Sequence, residues 1–363
     1  MSKIFELFGY PLDDQSPEAI ETRKNAQCPF MGADCDGGGN RYLSNVDLKQ
    51  NAGLAAFFEG HSSVPSGICS LQLQAGTPPW IVCPRRLFFL AKSGVRQRVN
   101  QRFSERLLLE YSGYPSGTRL GVWSELRVAY RNKKKSFQYT FDYILMPTAS
   151  LNQYQIEQLT GIDWLVTRRI VEASGYSMAR RNGVEYVDNF PNGYPVIVEV
   201  MTSSTSGGNK TKRTTIPMAF EDAVLGKQHN GPSINYRQVW ARMVSQLIVK
   251  SEVGLAWGGK TVWVLQDTLV DYISSSTALD IRQFLSNETD EVNILSFSYA
   301  NSYKNPDGLI ELKQGELFAG PISSGDRGGP SFQDMIRAPI APPKTVLIRL
   351  LLNRAPAGTI EVP

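Results

Sequence analysis

One short segment constrains the fold of this chain more than any other. Residues 194–201 read Tyr-Pro-Val-Ile-Val-Glu-Val-Met, which is too apolar for a strand with one face in water. The segment therefore predicts a strand that is buried on both faces. Residues 234–253 follow with the spacing of a long amphipathic helix, and residues 261–266 form another apolar strand pattern. This order of strand, helix and strand predicts an α/β domain with a mixed central sheet.

Further elements are predicted on both sides of this segment. Residues 97–112 have a helical pattern, and residues 121–130 and 136–145 alternate around a basic turn, which predicts a β-hairpin. A final apolar strand over 346–352 is expected to add to the sheet or to a dimer surface. Residues 151–173 predict one or two helices from the spacing of five apolar side chains: Leu159, Ile162, Leu165, Val166 and Ile170.

The N-terminal part of the chain differs in composition from the rest. Residues 1–90 are rich in Gly, Ser, Asn and Pro, and they hold all four cysteines: Cys28, Cys35, Cys69 and Cys83. In a cytosolic protein this confinement favours a local metal site over disulfides, because four thiolates can bind one tetrahedral zinc or iron ion. The alternative is four unrelated buried cysteines, since no Cys-x-x-Cys pair is present. We expect a loop-rich, four-cysteine metal-binding module over 1–95 and a second unit over 96–363, or one intertwined domain.

Bulk charge and hydropathy exclude several classes of protein. The chain has 38 Lys and Arg against 34 Asp and Glu, a net charge of +4, so any nucleic-acid signal has to come from local clusters. The N-terminus lacks a basic stretch followed by an apolar run, and no apolar run reaches the length of a membrane span. We expect a cytoplasmic protein with no membrane partner. No Walker loop or dinucleotide-binding glycine pattern is present.

Three carboxylates lie in predicted strands. Asp142 lies within Phe-Asp-Tyr-Ile-Leu, and Glu199 lies within the apolar run described above. A carboxylate in a buried strand has to be paired, hydrogen-bonded or bound to a cation, because burying it alone is very costly. Oxygen ligands suit Mg²⁺, so the pair predicts a magnesium site; the alternative is an internal carboxylate that caps a turn or pairs with Arg. Glu125, in the first strand of the hairpin, is a third candidate or else the cross-strand partner of a Lys.

Basic residues form two clusters in loops near the ends of these strands. Either cluster can meet DNA phosphates, and the alternative for each is a solvated turn. The first cluster lies at the hairpin turn and consists of Arg131, Lys133, Lys134 and Lys135. The second lies beyond the Glu199 strand and consists of Lys210, Lys212 and Arg213.

The order of these features resembles the NotI family of restriction endonucleases. The similarity runs from about residue 28 to residue 275, and weaker points of likeness are Gly231-Pro232-Ser, the helix bearing Gln246 and Lys250, and the strand ending at Gln266. It is carried mainly by Cys28-Pro-Phe, Cys35, Gly67-x-Cys69, Val82-Cys83-Pro84, Phe141-Asp142 and Glu199, in that order.

The resemblance implies a fold, an activity and a set of partners. It implies a PD-(D/E)xK nuclease core, a mixed sheet flanked by helices, over 96–363 with a C-terminal extension. The activity would be that of a type II restriction endonuclease: Mg²⁺-dependent cleavage of double-stranded DNA at a palindromic GC-rich site by a homodimer. A cognate DNA methyltransferase would protect the bacterial host. Asp142 and Glu199 would bind the catalytic metal, and the four cysteines would bind iron.

The chain departs from the family pattern at two points. Met201 stands two positions after Glu199, where most of the superfamily has Lys and NotI has Gln, and a Met side chain cannot orient water by hydrogen bonding. Thr202, Lys210 or Lys212 are candidates to replace the missing polar group. Asp142 and Glu199 are also 57 positions apart, which predicts an inserted helical segment over 151–190. The alternative function is a catalytically inactive DNA-binding protein with a structural metal on the four cysteines.

Overall fold

The computed structural model of the 363-residue chain describes residues 2–38, 45–90, 107, 109–132, 135–206, 208–304, 308–337, 343, 346 and 349. In chain order the N-terminal elements are β1 (Lys3–Leu7), β2 (Tyr10–Pro11), α1 (Pro17–Lys24), β3 (Gln27–Cys28), β4 (Ala33–Asp34), β5 (Asn45–Asp47), α2 (Ala52–Phe57), β6 (Ser63–Pro65), β7 (Ile68–Gln72), β8 (Trp80–Ile81) and α3 (Pro84–Leu87). Four of these strands form an antiparallel sheet in the order β2, β1, β7, β8.

The larger part of the chain is built on a mixed sheet. Its elements are β9 (Leu120–Asn132), β10 (Lys135–Asn152), α4 (Gln153–Thr160), α5 (Trp164–Ala173), β11 (Met178–Arg181), β12 (Val184–Pro191), β13 (Val196–Val200), α6 (Ile216–Val224), α7 (Tyr236–Ala256), β14 (Lys260–Gln266), α8 (Asp267–Ser276), β15 (Val292–Lys304) and β16 (Ile310–Gly320). Short 3₁₀ helices span Leu48–Gln50, Ile281–Phe284, Gly325–Arg327 and Phe332–Ile336.

The strands of this sheet pair in both directions. The order is β11, β12, β10, β13, β14, β15, β16, and β9 also pairs with β10. β9, β10 and β13 are successive antiparallel neighbours, whereas β14 lies parallel to both β13 and β15. The parallel β13–β14 pair needs a crossover connection, which α6 and α7 supply. The prediction of a mixed α/β sheet flanked by helices is confirmed.

The centre of the sheet is buried on both faces. All five residues of β13 are buried. Met201, just after the strand, packs with Met243 and Leu247 of α7 on one face. Val198 packs with Leu87 and other residues on the opposite face. Side chains therefore cover this strand on both faces, as its apolar composition predicted.

Other sequence predictions are confirmed with different bounds. The hairpin is longer than expected, the helix predicted over 234–253 is α7, and the strand predicted over 261–266 is β14. Leu107 and residues 109–112 are helical, and the rest of the helix predicted over 97–112 lies outside the described residues. Of the segment predicted as a strand over 346–352, only Val346 and Arg349 are described, and both are helical, so the strand prediction is wrong at these two residues.

The helices α4 and α5 form an insertion between β10 and β11. α4 begins at a capping box, in which Asn152 and Gln155 bond each other's backbone N–H groups. Their buried residues, including Trp164 and Val171, pack against Leu151 and other residues of the neighbouring strands. The apolar side chains whose spacing predicted these helices are not part of this packing. They are exposed: Leu159, Ile162, Leu165, Val166 and Ile170.

The N-terminal module packs tightly onto the larger sheet. Phe8 and Phe58 lie in one apolar cluster with Phe220 of α6, and the rings of Phe58 and Phe220 stack with centroids 5.9 Å apart. The cluster joins residues of 1–95 to residues of 96–363 in one core. None of the helices in the described ranges combines the length and the apolar character needed to cross a membrane.

A buried ion pair within the N-terminal part is hydrogen-bonded to the larger part of the chain. The Arg86 guanidinium of α3 lies 2.9 Å from a Glu6 carboxylate oxygen on β1, and both side chains are almost completely buried. Arg86 also donates to the Ile310 carbonyl oxygen at 2.7 Å. The Glu6 carboxylate accepts from the hydroxyls of Ser70 at 2.9 Å and Tyr299 at 2.6 Å. Each charge is thus satisfied by hydrogen bonds, as a buried pair requires.

Candidate active site

Asp142 and Glu199 lie side by side on neighbouring strands. β10 and β13 pair antiparallel at Tyr143 and Val198, and the two carboxylate residues are the next along each strand. The Val200 N–H donates to Asp142 Oδ2 at 2.9 Å, and the Asp142 N–H faces Glu199 Oε1 at 3.4 Å. The insertion of α4, α5, β11 and β12 accounts for the long sequence separation. Strand pairing therefore brings together the two carboxylates that the sequence predicted as metal ligands.

A buried lysine from α7 completes this cluster. Lys250 Nζ lies 2.5 Å from Glu199 Oε2 and donates to the Thr140 carbonyl oxygen at 2.8 Å. The ammonium also lies over the Phe141 ring, 5.4 Å from its centroid. Both side chains of the Lys250–Glu199 pair are at most 3% exposed. A buried ammonium on a buried carboxylate, beside a second carboxylate, is a concentrated set of ionisable groups of the kind that often marks functional sites.

Burial dominates the electrostatics of Glu199. Desolvation raises the pKa of its carboxyl well above the usual range, and the nearby negative charge of Asp142 raises it further. Lys250 acts in the opposite direction but does not offset the cost of burial. A divalent cation beside both carboxylates would supply the missing positive charge. The positive charge of Lys250 is therefore not enough to balance the two carboxylates, and the site favours a further cation.

Glu125 faces the same cleft from β9. It has a φ of +53°, in the left-handed region that non-glycine residues rarely adopt. Its neighbours Ser124 and Leu126 pair with the residues on either side of Asp142, so the distorted residue lies across from that carboxylate. Such backbone distortion costs on the order of 1–3 kcal/mol and is concentrated at functional sites. A cavity of about 50 Å³ is lined by Gly38, Pro84, Arg85, Phe88, Glu125, Asp142, Tyr143 and Val200.

Arg85 holds Glu125 in place. Its Nη2 atom lies 3.0 Å from Glu125 Oε1 and 3.0 Å from Asp36 Oδ2. The guanidinium is mostly buried, with 17% of its side chain exposed. Asp36 belongs to the loop that carries Cys35, and Arg85 lies just after Cys83. Arg85 therefore connects the cysteine-bearing loops to the carboxylate cleft.

The four cysteines line one small cavity. The cavity, about 20 Å³ in volume, is bordered by all of Cys28, Cys35, Cys69 and Cys83, and all four thiols are free of disulfides. The Cys69 thiol donates to the Gly67 carbonyl oxygen at 3.6 Å. Burial raises the pKa of Cys35 to about 12 and also raises that of Cys28. These thiols would have to lose their protons to a metal, since thiolates are the ligands.

The chemistry of the four thiols, and not their positions, supports a metal at these cysteines. Among the described residues, no group of three or more His, Cys, Asp or Glu side chains is arranged so that it could hold a metal ion. Four thiols converging on one cavity nevertheless fit the chemistry of a tetrahedral zinc or iron site. The Asp142–Glu199 pair fits Mg²⁺, because that ion takes only one or two protein carboxylates and keeps several waters.

Met201 lies in the apolar core. Its side chain is 8% exposed and packs with Val239, Met243 and Leu247, while its N–H donates to the Val264 carbonyl oxygen. It therefore contributes to packing against α7. The amine nearest to Glu199 comes from Lys250, a residue that sequence reasoning named within its helix but did not assign to the site.

The signal for Lys250 was present in the periodicity of α7. The buried positions of the helix include Val239, Met243, Leu247 and Gly254, and Lys250 falls on the same helical stripe. A lysine on the apolar side of an amphipathic helix requires a buried partner, because the isolated charge is too costly to bury. That requirement could have connected Lys250 with a carboxylate in a buried strand.

The predicted DNA-binding residues have different surroundings. Lys210 and Lys212 are exposed in the loop after β13. Arg213 forms ion pairs within the chain. Its guanidinium donates two hydrogen bonds, of 2.8 and 2.7 Å, to Asp222 and lies 3.3 Å from the Glu221 carboxylate. Arg213 therefore anchors this loop to α6. Lys135 begins β10, whereas Lys133 and Lys134 lie outside the described residues.

The β9–β10 hairpin extends beyond the carboxylates as a two-stranded ribbon. β13 pairs with β10 only from Tyr143 to Leu145, whereas β9 pairs with it as far as Lys135. At about 3.3 Å per residue, the ribbon reaches roughly 20 Å past Asp142. Arg127 and Arg131 are exposed along it. The ribbon therefore carries positive charge away from the cleft.

Comparison with known proteins adds no assignment: neither a protein-family model nor a curated protein matches this chain.

Proposed function

We propose that this protein is a metal-dependent endodeoxyribonuclease of the type II restriction class, which cuts both strands of duplex DNA. The observation that carries the proposal is the buried cluster of Asp142, Glu199 and Lys250. Two adjacent strand carboxylates with a lysine on one of them provide metal ligands and a positively charged hydrogen-bond donor in one place. The mixed sheet flanked by helices supports the PD-(D/E)xK fold that the resemblance to NotI-type enzymes implies.

Asp142 and Glu199 would hold Mg²⁺ at the edge of the cleft. When bound, such an ion activates water and stabilises the charge that develops on the attacked phosphate. Lys250 fixes the orientation of the Glu199 carboxylate through its short hydrogen bond. An ammonium has three donors, and Glu199 and Thr140 take two of them, which leaves one for a water molecule in the buried cluster. Lys250 would thus perform the task that Met201 cannot.

Lys250 also bears on the alternative function. Met201 was the reason to consider an inactive DNA-binding protein, because it removes a polar group from the expected position. An amine supplied from α7 to the same carboxylate would compensate for that loss. The enzymatic function is therefore the better-supported of the two.

Duplex DNA fits the charge around the cleft. A two-stranded ribbon has the right width to enter the major groove, where base edges are distinguishable, and exposed Lys and Arg side chains can contact phosphates. Arg127 and Arg131 on the ribbon, together with Lys210 and Lys212, supply such contacts. In the proposed setting, a bacterial cytoplasm, a cognate methyltransferase protects the host DNA at the same sites.

We expect purified protein to nick and linearise supercoiled plasmid in the presence of Mg²⁺ or Mn²⁺. Asp142→Asn and Glu199→Gln should each abolish cleavage, because they remove ligand charge while keeping an oxygen that accepts the same hydrogen bond. Agarose gels resolve the supercoiled, nicked and linear forms, and electrophoretic mobility shifts report DNA binding. Absence of cleavage by the wild-type protein with either metal, or full activity in both variants, would reject the proposal.

We further propose that Cys28, Cys35, Cys69 and Cys83 bind one structural iron or zinc ion. A four-thiolate site has no open position for substrate, so its role would be to hold the N-terminal loops together. Elemental analysis is expected to find about one iron or zinc per chain. Cys69→Ser should lower the metal content and the melting temperature, whereas Ser62→Ala, a change at an exposed serine of the same module, should alter neither. Wild-type protein free of both metals would contradict the assignment.

A further inference from the structure

The two faces of the β9–β10 ribbon differ in what covers them. On one face, Phe137, Tyr139 and Phe141 pack in an apolar cluster with Val253 of α7. Because successive strand residues point to opposite faces, the residues between these three, and their cross-strand partners, lie on the other face. That polar face is exposed to solvent along its length and consists of Arg127, Ala129, Arg131, Ser136, Gln138 and Thr140.

The polar face begins beside the carboxylate cleft. Arg127 is the cross-strand partner of Thr140, two positions before Asp142. Arg131 is the partner of Ser136, which lies four positions further out. At about 3.3 Å per residue, the face therefore runs from roughly 7 to roughly 20 Å from Asp142. Base pairs rise about 3.4 Å along duplex DNA, so a ribbon lying along the groove would cover about two to six base pairs from a phosphate bound at the carboxylates.

Gln138 holds Arg127 in place on the polar face. The two residues are diagonal neighbours across the ribbon. With the Gln138 amide oriented by its hydrogen bonds, its oxygen accepts from Arg127 Nε at 3.3 Å and also from Nη2. A guanidinium has five N–H donors, and Gln138 engages the edge formed by Nε and Nη2. The outer edge, formed by Nη1 and Nη2, therefore keeps two parallel donors directed away from Gln138.

We propose that Arg127 reads a guanine in the major groove, with Gln138 as the residue that positions it. The inference rests on the proposed function and narrows the DNA contact of Arg127 to one base. Two parallel N–H donors match O6 and N7 of guanine, which is the commonest specific contact that arginine makes in the major groove. A guanidinium that is already oriented also loses less conformational entropy when it binds.

The neighbouring side chains leave room for the duplex. Ala129, Ser136 and Thr140 are short, so the ribbon backbone can lie close to the base edges while Arg127 and Gln138 project beyond it. The major groove is wide enough to admit a two-stranded ribbon. The polar face therefore combines a fixed pair of donors with the small residues that a close approach to the bases requires.

The test selects DNA by binding. Full-length protein is mixed with a random-sequence duplex library, with Ca²⁺ in place of Mg²⁺ so that binding is read without cleavage, and the retained duplexes are sequenced. We expect the wild type to favour guanine at one position and at its symmetry mate in a palindromic site. Arg127→Gln should lower that preference about tenfold or more and leave the other positions unchanged. Gln138→Leu should lower the same preference by a smaller factor, because it frees the guanidinium.

Two further variants serve as controls. Arg180 is an exposed arginine on β11, in the hairpin that pairs with the far end of β10. Arg180→Gln should leave both the affinity and the base preference as in the wild type. Lys210→Ala should weaken binding to all sequences alike and reduce its salt dependence, as the loss of a phosphate contact does. Circular dichroism melts establish that each variant is folded.

The outcomes separate base reading from the proposed nuclease function. An unchanged preference in Arg127→Gln, or an equal loss of affinity for all sequences, overturns the inference even if the protein cuts plasmid. A wild-type pool with no base preference overturns it as well. A guanine preference that Arg127→Gln removes upholds the inference even if no cleavage is found with Mg²⁺ or Mn²⁺, in which case the nuclease function alone is rejected.

Discussion

Replacing Lys250 with Met is expected to reduce metal-dependent DNA cleavage by roughly 10²- to 10³-fold, the usual effect of removing one well-placed donor from a catalytic centre. Methionine has nearly the same length as lysine, so α7 should still pack against β13. Glu199 then loses its only cationic partner among the described residues, and the pKa of its buried carboxyl rises further, so the carboxylate form that binds metal is disfavoured. Single-turnover cleavage of a supercoiled plasmid measures the loss, and a thermal melt verifies the fold.

Met201→Leu is the matched control for this experiment. Met201 lies in the apolar core, and a Met-to-Leu exchange in a core typically costs less than about 1.5 kcal/mol, so cleavage should stay within a few-fold of wild type. The reverse pattern, in which Met201→Leu is inactive and Lys250→Met is active, would remove Lys250 from the site. Equal activity in the wild type and in Lys250→Met would do the same.

Replacing Arg86 with Met is expected to destabilise the protein by about 3–5 kcal/mol, because it leaves the Glu6 carboxylate buried without its cation. The change also removes the donor to the Ile310 carbonyl oxygen and loosens the connection between α3 and β16. Chemical denaturation, followed by tryptophan fluorescence, measures the free energy of unfolding. The midpoint should fall while DNA cleavage under native conditions persists, since Arg86 does not line the carboxylate cavity.

An exposed arginine provides the comparison. Arg282 is 57% exposed and pairs with Asp271 at 3.4 Å and Glu316 at 3.2 Å. Arg282→Met should cost at most about 1 kcal/mol, because solvent screens exposed ion pairs. Similar midpoints for the two variants would show that the Arg86–Glu6 pair contributes no more than a surface contact.

Much of the fold was predictable where the hydrophobic pattern extends over a long segment. The β9–β10 hairpin, the buried β13 and the long α7 all follow from periodicity, which depends only on neighbouring residues. The N-terminal strands were missed because most have two to five residues, too few to reveal a period of two. The β11–β12 hairpin was also missed, although its two-residue turn, Asn182-Gly183, has positive φ at both residues and is a local signal for a tight hairpin.

The candidate site was predictable in its carboxylates but not in its lysine. Asp142 and Glu199 stand out because a charge within a buried strand needs a partner. Lys250 is 51 positions after Glu199, and its distance from that carboxylate depends on how α7 crosses the sheet. The same limitation affected the exposed apolar residues of α5: helical spacing located them but could not tell which side of the helix the sheet covers.

Arg85 lies between the cysteine cavity and the carboxylate cleft. Its guanidinium borders both cavities, and its two carboxylate partners, Asp36 and Glu125, lie one on each side. Alkylation or oxidation of Cys35 or Cys83 would therefore take place close to Arg85, which pairs with Glu125. A change at these cysteines that displaced Arg85 would therefore also release Glu125 in the carboxylate cleft.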